Sequence, residues 1–506
     1  MALGDIGSRP RVHLIAARAQ WFTDVVADPE LPELLTRDLE RIVTLLGEAL
    51  NLTVSPVDSS ASWDAAIDTA RRGVFDLTVL LPQVWAEDWR VLDLLEAAAR
   101  EPLLLWCYLP THPAPAPLAF RQLLRYSGPV GALQYAGTIN NAGRAYRVVV
   151  GSPEDPEVRA QLTSIAQAAA ARRRLRASRI GLLPHANPQM ISTWVDEYRL
   201  RLTFGCDLLQ LSASQLAEAA RRVSRTETEE YVGALLGSYR LSDLDKEALP
   251  ESARLSLGLA ELVREFGIDI LSLNDVSDEL HRVLHMRPCL MPPGLQRAEL
   301  AVGLEGDLGA ALAVAILKAL SQEPVLFAEI FTWSDPGHTV TLGHGGLQDP
   351  RLAGEADRVV LTPDYEYQST GKPGVWMSFR MAAGPVTLLQ IRHAPQGFVA
   401  SVIEGTAVEG EREIEGYPHA VIRLPLRPSS WLRSVLEAGS TQHWAVGRGH
   451  WGGALRHTLD MTGVALQGAA VEDVGWHATG TAPERGRDGP SAGEPSDPVT
   501  MPTRER

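Results

Sequence analysis

Four places in the 506-residue chain put a carboxylate or an imidazole where α/β folds expose functional groups, at strand ends and helix starts. Glu305 stands in the run Leu304-Glu305-Gly306-Asp307-Leu308-Gly309, just ahead of an apolar helix over Ala310 to Leu320, so its side chain can point into a cleft. Asp307 reads as the cap of that helix, accepting an otherwise unpaired N–H. Glu329 interrupts the apolar strand Val325-Leu326-Phe327-Ala328-Glu329-Ile330, where a charge is costly unless it is paired, metal-bound or turned to water at an edge. His344 lies in Leu342-Gly343-His344-Gly345-Gly346, whose glycines let backbone approach a ligand closely; it is either a neutral imidazole donor or a structural histidine in a glycine turn. His443, in Thr441-Gln442-His443-Trp444, is distant in the chain but free to be near in space. A set of two carboxylates and two imidazoles without thiolate suits Mn²⁺ or a similar divalent ion that keeps positions open for substrate oxygens.

These residues need a scaffold, and the hydrophobic pattern describes one. From Val12 to Cys107 apolar strands alternate with amphipathic helices in the order βαβαβαβ, and Leu35, Leu39, Ile42, Leu46 and Ala49 recur at steps of three and four as one buried stripe. Such alternation predicts an open parallel sheet covered on both faces. The arginine run Arg172, Arg173, Arg174 and Arg176 ends an alanine-rich helix, where positive charge meets the helix dipole; it reads as a solvated face at a domain boundary. A second αβ segment starts with the strand Arg179 to Leu183 and runs through the helix Ser252 to Phe266, the strand Ile268 to Leu273 and the strand Pro324 to Ala328. Beyond about Asp357 short apolar runs split by Gly and Pro have the texture of an antiparallel barrel or sandwich. The fold class expected is therefore α/β: two successive Rossmann-like or flavodoxin-like αβα domains, 1–176 and 177–345, then a mainly antiparallel β-barrel domain, 346–478. The remainder, 479–506, has almost no large apolar residue and reads as a disordered tail.

Composition narrows the chemistry. The formal charge of −15 repels phosphate backbones and anionic lipid, which argues against nucleic-acid and membrane-surface roles. Cys107, Cys206 and Cys289 form no CxxC pair, so neither a disulfide framework nor a thiolate zinc site is indicated, and a reducing cytoplasm suits them. The N-terminal residues have no apolar signal core, and no stretch reaches eighteen uninterrupted apolar residues.

The segments LEGDLGAALAVAILKAL, PVLFAEIFTW, LGHGG, GPVTLLQIRHAPQGFVASVIEGTAVEG and STQHWAVGRG, within about Arg179 to Ala470, resemble the L-arabinose/L-fucose isomerase family. The resemblance implies that Glu305, Glu329, His344 and His443, separated by 24, 15 and 99 residues, are the metal ligands. It implies an aldose–ketose isomerase in which Glu305 and Glu329 divide proton removal and return through a cis-enediolate, with metal-assisted hydride shift as the competing route. It also implies a sugar substrate, contacts from Gln20 and Met190, and a trimer or hexamer whose neighbouring subunit contributes to the site. Trp21, beside Gln20, and His185 and Gln189, beside Met190, fall in the same two regions. Gln442 departs from the paired histidines frequent in the family and stands as a further substrate contact. A catalytically silent sugar-binding protein on the same scaffold is the alternative, because fold does not guarantee activity; a metal-dependent lyase or hydrolase on these residues is another. His450 and His457 read as surface residues.

Overall fold

Alternation along the first strands decides how the N-terminal layer is built. Val12, Leu14 and Ala16 of β1 (Arg11–Ala17) face one way, Ile15 and Ala17 the other, and both sets are buried. With β2 (Asn51–Val57), β3 (Leu77–Pro82), β4 (Leu103–Tyr108) and β5 (Arg147–Gly151), β1 forms a five-stranded parallel sheet in the order β2-β1-β3-β4-β5. Parallel strands apolar on both faces require a helical layer on each. Helices Leu31–Leu46 and Pro156–Ala177 cover one face, and Ser60–Arg72, Val91–Ala97 and Gly128–Asn141 the other. This is the arrangement that the sequence pattern predicts, with the strand order of a doubly wound sheet. The computed structural model describes residues 9–19, 29–242, 247–296, 300–370, 374–411 and 413–467; Gln20, Trp21 and the segment 479–506 lie outside them.

The second sheet is also parallel. β6 (Arg179–Leu183), β7 (Asp207–Gln210) and, after the short β8 (Arg240–Leu241), β9 (Ile270–Leu273) and β10 (Ala301–Leu304) give the order β10-β9-β6-β7. The carboxyl ends of three of these strands lead into His185, Asp275 and Glu305, the edge at which open α/β sheets present functional groups.

The rest of the chain is mainly antiparallel. β11 (Val325–Ser334) and β12 (Thr339–Gly343) are followed by β13 (Val360–Pro363) and β14 (Val375–Ser378), which pair with each other, β13 also pairing with β8. β15 (Gly384–Ala394), β16 (Gly397–Ala407), β17 (His419–Arg423) and β18 (His443–Arg448) then join β11 and β12 in the order β15-β18-β11-β12-β17-β16, and β16 pairs back onto β15. The ring of antiparallel pairings closes, leaving no bare edge among the six strands; β19 (Ala465–Leu466) adds to β16 in parallel. β11 and β12 fall within the 177–345 segment yet hydrogen-bond into this ring. Glu329 and His344 are thus positioned by the antiparallel sheet, Glu305 by the parallel one.

One helix joins the two. Leu308–Ser321 is apolar on every side, and Leu308 to Lys318 are all buried, which a helix tolerates only when neighbours cover its whole circumference. It packs on β9 and β10 on one side and on β11, β15 and β18 on the other. The arginine run departs from the solvated face expected of it. Arg173 bonds the buried Asp76, Arg172 donates to the Met461 carbonyl at 3.2 Å, and Arg174 donates to the Ala319 carbonyl at 3.2 Å. The run ties the first layer to the C-terminal helix and to the central one. His457, read as a surface residue, is half-buried on the helix Gly452–Thr462, while His450 is exposed. No helix among the described residues is long and apolar enough to cross a membrane.

Candidate metal centre

Strand register brings the distant residues together. Glu329 on β11 pairs with His443 on β18 at one side and with Gly343 on β12 at the other. One row across three strands therefore carries His443, Glu329 and the residue preceding His344. Glu305, at the end of β10, enters this row from the parallel sheet: His443 Nε2 lies 3.2 Å from Glu305 Oε2 and 3.4 Å from Glu329 Oε1, and His344 Nε2 lies 3.5 Å from Glu305 Oε1. One ligand atom from each of the four residues falls within 4.8 Å of all the others. Opposite donors on a divalent transition ion, each at roughly 2.0–2.2 Å, stand little closer than that. The Phe327 ring packs beneath both imidazoles, with centroids 4.9 Å from His344 and 4.7 Å from His443.

The imidazoles are held in the tautomer a metal needs. His344 Nδ1 donates to the Gly345 carbonyl at 2.9 Å, which leaves Nε2 directed at Glu305. His443 Nδ1 lies 2.9 Å from Asp307 Oδ2, the carboxylate–histidine arrangement that orients metal-binding imidazoles. Asp307 does this while Oδ1 accepts the Ala310 N–H at 2.9 Å, so the capping role read from sequence is correct and half of its work.

Buried polar atoms without aligned hydrogen-bond partners test whether a cation fits. His443 Nε2 and Glu305 Oε2 are two such atoms, and they face each other. Burial opposes charge on Glu305, but His344 and His443 outweigh it and hold its carboxyl well below the usual carboxylate range. Burial likewise opposes charge on His443, while Asp307, Glu305 and Glu329 push it well above the usual imidazole range; His344 is raised by Glu305 against the same opposition. Two carboxylates and the Nε2 atoms of two imidazoles facing one another form a donor set that fits a divalent ion.

The backbone at Glu305 is unusual. Its φ is 55°, in the left-handed region, which costs a side-chain-bearing residue about 1–3 kcal/mol and persists only where the surroundings enforce it. Gly306 follows at φ 71°, and a Cβ there would stand 2.7 Å from the His185 carbonyl oxygen. The His185–Met190 loop therefore lies directly over the ligand segment. Within the loop, His185 Nε2 is 3.3 Å from Ser277 Oγ, and Met190 Sδ accepts from Gln442 Nε2 at 3.3 Å, next to His443. Met190 and Gln442, read separately from sequence, thus contact each other; Gln20 lies outside the described residues.

Sequence reasoning missed Asp275, which accepts the Glu305 N–H at 3.2 Å, and Arg287, bonded to Asp275. A signal was present: Asp275 follows the apolar strand β9 as Glu305 follows β10. It also missed the aromatic wall beyond Glu329, where the exposed Phe331 lies 5.7 Å from the Tyr417 ring.

No family model matches the chain. Among curated proteins, the sulfoquinovose isomerase of Priestia aryabhattai is 20% identical over 343 residues, covering 67% of this chain and 74% of that protein. The L-arabinose isomerase of Geobacillus thermodenitrificans is 26% identical over 343 residues, 64% of this chain and 66% of that protein. That of Geobacillus kaustophilus is 28% identical over 313 residues, 58% and 60% of the two. Over these stretches the chain is similar to sugar isomerases of the L-arabinose isomerase and sulfoquinovose isomerase kinds.

Proposed function

We propose that the protein is a divalent-metal-dependent aldose–ketose isomerase of the L-arabinose/L-fucose isomerase type. The observation that carries the reading is the convergence of one ligand atom each from Glu305, Glu329, His344 and His443 within 4.8 Å of one another, in a chain whose relatives are named as sugar isomerases. These four residues would hold the ion, and their oxygen and nitrogen donors favour Mn²⁺. When bound, such an ion polarises the sugar carbonyl and stabilises negative charge developing on the adjacent oxygens.

Glu305 and Glu329 divide the proton work, one taking the proton from C2 of the aldose and the other returning one at C1 of the cis-enediolate, while the O2 hydroxyl proton passes to O1. Glu329 is the more open of the two, its side chain 28% exposed against 11% for Glu305. Asp307 keeps His443 Nε2 directed at both carboxylates, and Met190 and Gln442 line the approach, where the Gln442 amide can hydrogen-bond sugar hydroxyls. A homo-oligomer, a trimer or hexamer, completes the reading, with Gln20 supplied by a neighbouring subunit. Ile191, Tyr198 and Leu202, 75%, 75% and 65% exposed beside the Met190 loop, support it as an apolar surface in want of cover. The three free cysteines support a cytoplasmic setting.

The deciding experiment is a panel of neutral and anionic aldoses, including L-arabinose, L-fucose, D-galactose and sulfoquinovose, incubated with Mn²⁺ and read for ketose by NMR. Conversion of at least one aldose, abolished by chelation, is expected. Purified protein that carries no divalent metal and converts none of them overturns the proposal in favour of a silent sugar-binding role. A product of altered formula points to lyase or hydrolase chemistry instead.

A further inference from the structure

Two neighbouring parallel strands end in carboxylates, β9 leading into Asp275 and β10 into Glu305. Asp275 is fully buried, and each of its oxygens has work beyond its own strand. Oδ1 accepts the Glu305 N–H at 3.2 Å, and Oδ2 accepts Arg287 Nη1 at 3.0 Å. Oδ2 also occupies the space beside Gly346, where a Cβ would come within 2.7 Å of it. One carboxylate therefore touches both the segment that carries Glu305 and the turn that follows His344.

Arg287 extends the contact. Buried itself, it donates Nε and Nη2 to Asp364 at 2.7 and 2.9 Å, and Nη2 also bonds Glu366. Glu366 Oε1 accepts the Tyr417 hydroxyl at 2.9 Å and stands 3.0 Å from where a Cβ on Gly345 would be. The same glycine packs against the Trp376 ring, over which the Arg287 guanidinium lies at 5.5 Å. Both glycines after His344 are thus wedged between groups that Arg287 holds. A buried guanidinium among three carboxylates is weak evidence for stability, because desolvation opposes it; the specific consequence here is geometric.

We infer that Asp275 and Arg287 are positioning residues of the metal centre: the buried pair fixes Glu305 in its left-handed conformation and sets the His344–Gly346 turn against it, so that both ligands converge on one ion. The inference rests on reading the Glu305, Glu329, His344 and His443 cluster as a metal site.

Asp275→Asn keeps the shape but sets an amide N–H₂ against a donor, either Arg287 or the Glu305 N–H. Arg287→Lys replaces a fork that reaches three carboxylates with a single point charge. Glu366→Gln, at a side chain 37% exposed, probes the same guanidinium where folding is least at risk. Mn²⁺ affinity is measured by chelator competition on folded protein, verified by circular dichroism and size exclusion. Asp275→Asn and Arg287→Lys are expected to weaken Mn²⁺ binding on the order of 10–100-fold, with the sugar KM at saturating Mn²⁺ within about twofold of the parent. Glu366→Gln is expected to shift affinity in the same direction by less. A merely structural role lowers the folded fraction and leaves the affinity of what remains unchanged, and unchanged Mn²⁺ affinity in every folded variant overturns the inference. A parent protein that binds no divalent ion overturns the metal reading and this inference together, which separates the two failures.

Discussion

Asp307 holds His443 at 2.9 Å with one carboxylate oxygen and caps the helix Leu308–Ser321 with the other. A helix buried along almost its whole length thus begins at the candidate metal centre. Packing of that helix between the parallel sheet and the antiparallel ring fixes the direction of His443 Nε2.

The two roles of Asp307 separate by substitution. Asp307→Ala removes both and is expected to cost about 0.5–2 kcal/mol of stability through the lost cap. Asp307→Ser restores the cap without reaching His443. Its stability should approach the parent's in denaturant unfolding, while Mn²⁺ affinity stays on the order of 10–100-fold weaker, as for other residues that orient a metal-binding imidazole. Equal metal affinity in Asp307→Ser and the parent would contradict the assignment.

The carboxylate roles predict loss of turnover with retention of fold. Glu305→Gln and Glu329→Gln keep volume and remove the proton acceptor, so kcat on a converted aldose should fall by roughly 10²–10⁴. In deuterated water the parent should incorporate deuterium at C1 or C2 of the product. Turnover without any exchange would replace the enediolate route by a hydride shift.

Much of this centre was legible in the sequence, and the reason is local. Glu305 precedes a helix start, Glu329 breaks an apolar strand, and His344 sits among glycines, so each departs from the pattern around it. Strand alternation likewise gives the two-faced burial of β1, because side-chain period and burial are linked directly. Asp275 carried a signal, its place after the apolar strand β9, but its role and that of Arg287 were not legible, because they exist only once β9 lies beside β10 and the 364–366 segment folds over them. The arginine run misled for the same reason: Arg172, Arg173 and Arg174 look solvated until their long-range partners Met461, Asp76 and Ala319 are in place.

Protons and metal should compete for the centre. His344 and His443 are raised above the ordinary 6.5, so their pairing with carboxylates stabilises the metal-free protein fully below that pH and is lost as pH rises through the raised values. Glu305 is depressed below the ordinary 4.5, so its contribution is present above that pH and lost as pH falls through the depressed value. Stabilisation of the metal-free centre is therefore greatest between these two ordinary values. A divalent ion must displace the imidazolium protons, so its own stabilising effect grows with pH. The difference in Tm between Mn²⁺-saturated and metal-free protein should widen from about pH 6 to about pH 8, with proton release on binding detected by calorimetry in two buffers. A difference independent of pH would contradict the competition.

Gly346 offers a test of how rigidly the ligand turn is held. Its φ is 79°, and a Cβ would stand 2.7 Å from Asp275 Oδ2, an atom tied down by Arg287. Gly346→Ala should therefore meet the left-handed backbone penalty of about 1–2 kcal/mol and, in addition, a contact that cannot relax without moving the carboxylate that holds Glu305. Gly137, in the helix Gly128–Asn141, has nothing within 4 Å of its would-be Cβ, and Gly137→Ala should stabilise by roughly 0.5–1 kcal/mol. Denaturant unfolding of the metal-free proteins measures both changes, and Mn²⁺ titration of the folded variants shows whether the turn matters to the ion. Weakened Mn²⁺ binding in Gly346→Ala alone is the expected pattern; equal affinity in the two variants would mean that the turn can shift without disturbing His344.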